Sequence, residues 1–224
     1  MKFRQILFTT SLFALFSASV YGQTLNWGAP VGESLTDSMG NSIDDSFVFE
    51  LGAFEANFDP GQNTPDSWLA NWRVFDQMTY NQDFGFSTST VYINNDVTSS
   101  NPNASTMSFA GLNAFIWIRK GDTPVPGSEW LLTRAGTNSN NWTFPIVGGS
   151  CCDTNVIEWS VSDLGTNDVP EWGRQNDDVG PGVFSPPGGG SGLQTHTFVP
   201  EPGSALLLAC SVMAVGLRRL RNSR

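Results

Sequence analysis

The sequence predicts an all-β domain, an antiparallel β-sandwich of jelly-roll-like kind with one short helix, set between two apolar end segments. Three observations lead there. Gly, Pro, Asn, Asp and Ser break the chain at short, regular intervals. Between the breaks lie brief runs rich in Val, Ile, Phe, Trp and Thr, the residues that suit a pleated surface. One stretch alone spaces its apolar residues for a helix.

The strand runs follow in order. Residues 47–51 form the first, and residues 84–93, with Phe86, Val91 and Tyr92, the second. Residues 114–118 are the most apolar and belong at the centre of a sheet. Residues 130–133 follow a turn at Pro126-Gly127, then come 156–161 and finally 195–199. The helical exception begins at Thr64-Pro65-Asp66-Ser67, which supplies a cap, a proline at the first helical position and an early acid. Trp68, Trp72 and Phe75 then recur at helical spacing. A helix over 65–78 is expected, laid across one mouth of the sheets. Residues 180–192 read as a Gly/Pro-rich spacer.

Charge divides the chain into three parts. The 224 residues carry 21 acids and 11 bases, a net charge of −10. Lys2 and Arg4 lie at one end and Arg218, Arg219, Arg221 and Arg224 at the other, so residues 23–199 hold 20 acids and 5 bases. An acidic body with no basic face excludes nucleic acid as a partner. An aromatic content of 12% argues against wholesale disorder.

The ends account for this segregation. Residues 1–22 join a basic start to an apolar run over 6–16 and then small residues. That is the pattern of a signal peptide cleaved between Gly22 and Gln23, the competing reading being an uncleaved anchor. Residues 203–217 carry no charge and are followed at once by the arginine cluster. Fifteen helical residues rise about 22 Å, against about 30 Å of hydrocarbon, so the span is short but able to cross with the arginines snorkelling. A buried core helix is the alternative. Positive charge stays on the cytoplasmic side, which places both ends inside and the acidic body outside. The expected divisions are 1–22, 23–198 and 199–224.

Val199-Pro200-Glu201-Pro202, then the short apolar helix, then the arginines resembles the PEP-CTERM protein-sorting signal. The resemblance implies export from a Gram-negative-type bacterium that makes exopolysaccharide. A membrane-embedded exosortase would recognise Pro200, Glu201 and Pro202, residues 206–217 would enter the inner membrane, and Arg218, Arg219 and Arg221 would stop transfer. Cys210, inside the apolar segment, departs from the pattern. The middle of the chain is also similar, more loosely, to small exported proteins with this tail. That similarity rests on Phe49-Glu50-Leu51-Gly52, Ala70-Asn71-Trp72, Phe115-Ile116-Trp117, Ser128-Glu129-Trp130 and Trp142-Thr143-Phe144-Pro145, and it implies no activity.

Chemistry is sparse. The one histidine, His196, lies three residues before the tail motif and reads as a surface residue on a last strand; no GxSxG elbow accompanies it. Glu50 paired with Glu129 or Glu158 would give a two-carboxylate glycosidase, though each also suits a solvated strand position. Residues 163–168 and 176–178 offer oxygen ligands for calcium without matching an EF-hand. Trp142 and Trp172, in polar loops, are the candidates for stacking on sugar, while the tryptophans in periodic elements belong to the core. Cys151 and Cys152 are adjacent, so a bridge between them is strained and an intermolecular bridge competes with it. Asn103 and Asn141 stand in N-glycan sequons that match by chance in a bacterial chain.

The expectation is therefore an exported, non-enzymatic surface or matrix protein with no cofactor and no catalytic residue. Its partners are exosortase, the inner membrane during export and exopolysaccharide. A carbohydrate-binding module and a polysaccharide-acting enzyme are the alternatives.

Overall fold

A computed structural model describes residues 23–121, 123–135, 142–146, 156–164, 169–185 and 192–198. The expected signal peptide with Gly22, the tail from Val199 onward with its arginines, Cys151, Cys152 and Cys210 all lie outside these residues.

The described chain is mostly strand with one helix. In order they are β1 (Gln23–Ala29), β2 (Leu35–Thr36), β3 (Val48–Phe54), α1 (Pro65–Asn71), β4 (Trp72–Thr79), β5 (Ser87–Ile93), β6 (Phe115–Lys120), β7 (Glu129–Thr133), β8 (Ile157–Ser160), β9 (Arg174–Gln175), β10 (Asp178–Val179), β11 (Leu193–Gln194) and β12 (His196–Thr197). A five-stranded sheet runs β12-β7-β6-β3-β4, a three-stranded sheet β5-β1-β8, and a small four-stranded sheet β10-β9-β11-β2. Pairing is antiparallel except at β1–β8 and β2–β11, which are parallel. The expectation of a purely antiparallel sandwich is corrected at those two pairs.

The expected helix over 65–78 is also corrected. The helix stops at Asn71, and the chain from Trp72 pairs with β3 instead. Pro65 and Asp66 start the helix as the sequence indicates. The misreading has a physical source. A bulge opposite Leu51 and Gly52 leaves Phe75 without a partner in β3. An extra residue breaks the period of two, so Trp72, Phe75 and Met78 take on a spacing that imitates a helix. Tertiary pairing then overrides the local pattern.

The five-stranded sheet is buried on both faces. On one face Phe49, Leu51, Ala53, Ile116, Ile118 and Leu131 meet Leu25, Trp27, Ala29, Val91, Ile93 and Trp159 of the three-stranded sheet. On the other, Phe54, Trp72, Phe115, Trp117, Trp130 and Leu132 are covered by Trp68 of α1, Trp172 and Phe198. This explains why β3, β6 and β7 lack the alternation of a half-exposed strand. Trp68 sits within 6.5 Å, ring centre to ring centre, of Phe54, Trp117, Trp130 and Trp172. All eight tryptophans of the chain are buried.

Polar ties cross these layers. Trp27 of β1 donates Nε1–H to Asp76 of β4 at 2.7 Å, joining the two large sheets, and Asn101 donates to the same carboxylate. In the aromatic layer, Trp72 Nε1–H donates to Glu50 Oε2 at 2.9 Å, and Arg119 reaches Glu50 Oε1 at 2.7 Å. A carboxylate this deep requires such partners.

Candidate functional site

The structure separates the carboxylates that a glycosidase would pair. Glu50 faces the aromatic layer, held by Trp72 and Arg119. Glu158 is on β8 in the other sheet and is exposed. The sandwich core lies between them, and packed sheets stand about 10 Å apart before side chains are counted. Glu50 and Glu129 share a sheet but not a neighbourhood. Glu50 registers with Trp117, and Trp117 with Leu132, three positions from Glu129. That odd offset points the two side chains to opposite faces and puts their strand positions on the order of 14 Å apart, beyond the carboxyl spacing of about 5–9.5 Å in either glycosidase class.

Glu129 instead fastens the end of the body. Its Oε2 accepts from the Ser38 amide at 2.9 Å and from Thr195 Oγ1 at 2.6 Å, and Oε1 accepts from Ser38 Oγ. Thr197 Oγ1 donates to Ser38 Oγ at 2.7 Å, and the Phe198 amide donates to Ser128 O at 2.9 Å. Strand pairing further stitches residues 193–197 to β2, β7 and β9.

His196 is not the surface residue expected from its place near the tail. It is fully buried, stacked on Phe184 at 4.1 Å, with Nδ1–H donating to Pro181 O at 2.7 Å. Burial holds its imidazole below the usual histidine range; Pro181 and Glu129 pull the other way, and Arg174 adds to the depression.

The candidate sugar platforms are corrected as well. Trp142 is 1% exposed and stacked on Trp159 at 5.5 Å. Trp172 is 7% exposed, stacked on Phe198 at 5.6 Å, and donates Nε1–H to His196 O at 3.1 Å. Polar neighbours in sequence suggested exposed loops. The bridge Leu132↔Trp172 fastens one segment to β7, and the bridge Asn113↔Thr143, with Ala114 N–H donating to Trp142 O at 2.9 Å, holds the other just before β6.

For calcium, Asp163 is engaged in capping the 3-10 turn over Val161–Asp163, and Asn176 Nδ2 donates to Leu164 O at 3.4 Å. Asn167 and Asp168 lie outside the described residues. Among the described residues, no group of three or more His, Cys, Asp or Glu is placed to hold a metal ion, and no helix is long and apolar enough to cross a membrane.

The sequence reading missed the outer face of the three-stranded sheet. There β1 runs between β5 and β8, and register places Thr90, Asn26 and Glu158 in one row and Thr88, Gly28 and Ser160 in the next. Gly28 is obligatory, because a Cβ there would lie 2.1 Å from Ser87 O. A row without a central side chain leaves a hollow. The resulting groove of about 340 Å³ also takes in Pro30, Val31 and Phe86. The signal was present in Thr24-Leu25-Asn26-Trp27-Gly28-Ala29, where apolar Leu25, Trp27 and Ala29 alternate with Thr24, Asn26 and Gly28.

Compared with known proteins, the chain matches no family model, no curated protein and no solved structure.

Proposed function

We propose that the protein is an exported surface or matrix component, associated with exopolysaccharide and delivered through its C-terminal segment by an exosortase. The observation that carries this reading is the ordered set Val199-Pro200-Glu201-Pro202, uncharged residues 203–217 and Arg218, Arg219 and Arg221, opposite a signal-peptide pattern ending at Gly22-Gln23. The packing supports it. Leu25 is fully buried, and Phe198 is 7% exposed and hydrogen-bonded. Cleavage before Gln23 and recognition from Val199 onward would both fall outside the residues the body packs. A structural role, in a sandwich of jelly-roll-like kind, is supported by the separation of Glu50, Glu129 and Glu158, the first two of which serve as ties between elements. The finer architecture of the ends, a cleaved signal peptide and a membrane-inserted sorting helix, belongs to the same proposal.

The test replaces Pro200, Glu201 and Pro202 by alanine in the producing cell. The variant is expected to remain in the inner membrane while the parent reaches the surface or the medium. Arrival of the variant at the surface in parental amounts overturns the sorting reading.

A further inference from the structure

We infer that the outer face of the β5-β1-β8 sheet is a binding groove for a neutral, hydroxyl-rich saccharide chain. The exposed lining is mostly apolar, and Asn26, Thr88, Glu158 and Ser160 set polar groups along it. Asn26 accepts the Thr90 hydroxyl through Oδ1 at 2.8 Å, which orients its Nδ2 donors. Thr88 and Glu158 are exposed and Ser160 is half-exposed. Amide donors, hydroxyls and a carboxylate acceptor at strand spacing match the mixed donors and acceptors of a sugar's hydroxyl groups.

Gly28 supplies the shape. It sits in the middle of these polar groups with no side chain, so a ring can settle against the sheet. One wall is apolar. Phe86 lines the groove, and Phe84, 67% exposed, packs beside it at 6.1 Å with the rings inclined by 45°. Val31, 74% exposed, adds apolar surface to the lining. Exposed aromatic faces carry the negative side of a quadrupole, which attracts the axial C–H groups of a pyranose. The volume is at the low end of small-ligand clefts of about 300–1,000 Å³, room for a short stretch of a chain rather than for a whole polymer.

Three competing occupants fit less well. A peptide strand adds to a sheet edge, but β1 is paired on both sides, so its backbone groups are taken. A lipid or other wholly apolar ligand would leave Asn26, Thr88 and Glu158 without partners along the groove. An anionic polymer meets Glu158 and a body with 20 acids against 5 bases, and no Lys or Arg lines the groove.

This inference rests on the proposed function only for which polysaccharide is at hand; export is read by location and binding by affinity, so the two fail separately. The test uses the full-length chain purified in detergent. It is screened on an array of neutral α- and β-linked hexo-oligosaccharides with alginate oligosaccharides beside them, and hits are titrated by calorimetry. Saturable binding to a neutral member is expected, at least tenfold tighter than to alginate. Asn26→Ala, Glu158→Ala and Phe86→Ala are each expected to weaken it at least tenfold with the melting temperature of Asn26→Ala and Glu158→Ala unchanged. No saturable binding to any neutral member, tighter binding to alginate, or affinity unmoved by Asn26→Ala and Glu158→Ala would overturn the assignment.

Discussion

The Glu50–Arg119 pair gives the most direct test of how the aromatic layer is held. Glu50 and Arg119 have side-chain exposures of 4% and 14% and meet at 2.7 Å. Trp72 donates to the same carboxylate. Replacing Arg119 by Met removes the counter-charge and leaves the carboxylate among Trp72, Trp117 and their neighbours. Breaking a buried pair from one side costs about 3–5 kcal/mol. At about 2–4 °C per kcal/mol for a body of this size, the melting temperature falls by about 6–20 °C. Adding Glu50→Gln to Arg119→Met removes the stranded charge while keeping an acceptor for Trp72. The double variant is expected to recover at least about 2 kcal/mol of the loss. Urea unfolding followed by tryptophan fluorescence, with the slope checked for constancy, measures all four corners of the cycle. If Glu50→Gln rescues less than about 0.5 kcal/mol, the pair behaves as a solvated surface pair, and the account of a carboxylate that must be matched inside the layer is wrong.

Further outcomes follow from other sites. Trp72→Phe is expected to cost about 1.5–3 kcal/mol more than Trp117→Phe, because Trp72 Nε1 bonds a carboxylate while Trp117 Nε1 is buried without a partner; equal losses would contradict this. Gly28→Ala should lower stability by at least about 2 kcal/mol, since the new Cβ meets the Ser87 backbone at 2.1 Å, and a melting temperature within error of the parent would refute the close approach. Because burial depresses His196, the unfolded chain takes up the proton first. Its contribution is complete above about pH 6.5 and declines as pH falls below that, by at most about 1.4 kcal/mol per pH unit. Glu33 and Glu171, pushed up by burial, contribute with the opposite sign, so His196→Gln is the control. The parent should lose more stability than His196→Gln between pH 7 and pH 5, and parallel curves would remove histidine from the account. Thiol counting with and without reductant on the purified domain of residues 23–198, which lacks Cys210, tests Cys151 and Cys152, and two free thiols would exclude both bridge readings.

Much of the body can be read from residue order. The runs at 47–51, 114–118 and 130–133 become β3, β6 and β7, because unbroken β-branched and aromatic runs have few other ways to bury themselves. The start of α1 is equally local, a matter of Pro65 and Asp66. Its end is not, because nothing in residues 72–78 announces a bulge; Trp72 becomes a strand residue only when β3 is beside it. Exposure of the loop aromatics is likewise decided at a distance. Trp142 and Trp172 have polar neighbours along the chain and apolar ones across it, and burial depends on the second set.

By itself, the sequence determined the β-rich class, the acidity of the central part and the grouping of bases at the two ends, since composition and charge need no partner in space. Only the tertiary structure decided that the central sheet would have two buried faces and that Glu50 would be an internal ion pair. It alone placed His196 in the interior, and it alone assembled the groove around Gly28. Each of these is made by residues distant along the chain, 69 positions apart for Glu50 and Arg119, or by strands brought into register, and register is a property of the pairing rather than of either strand.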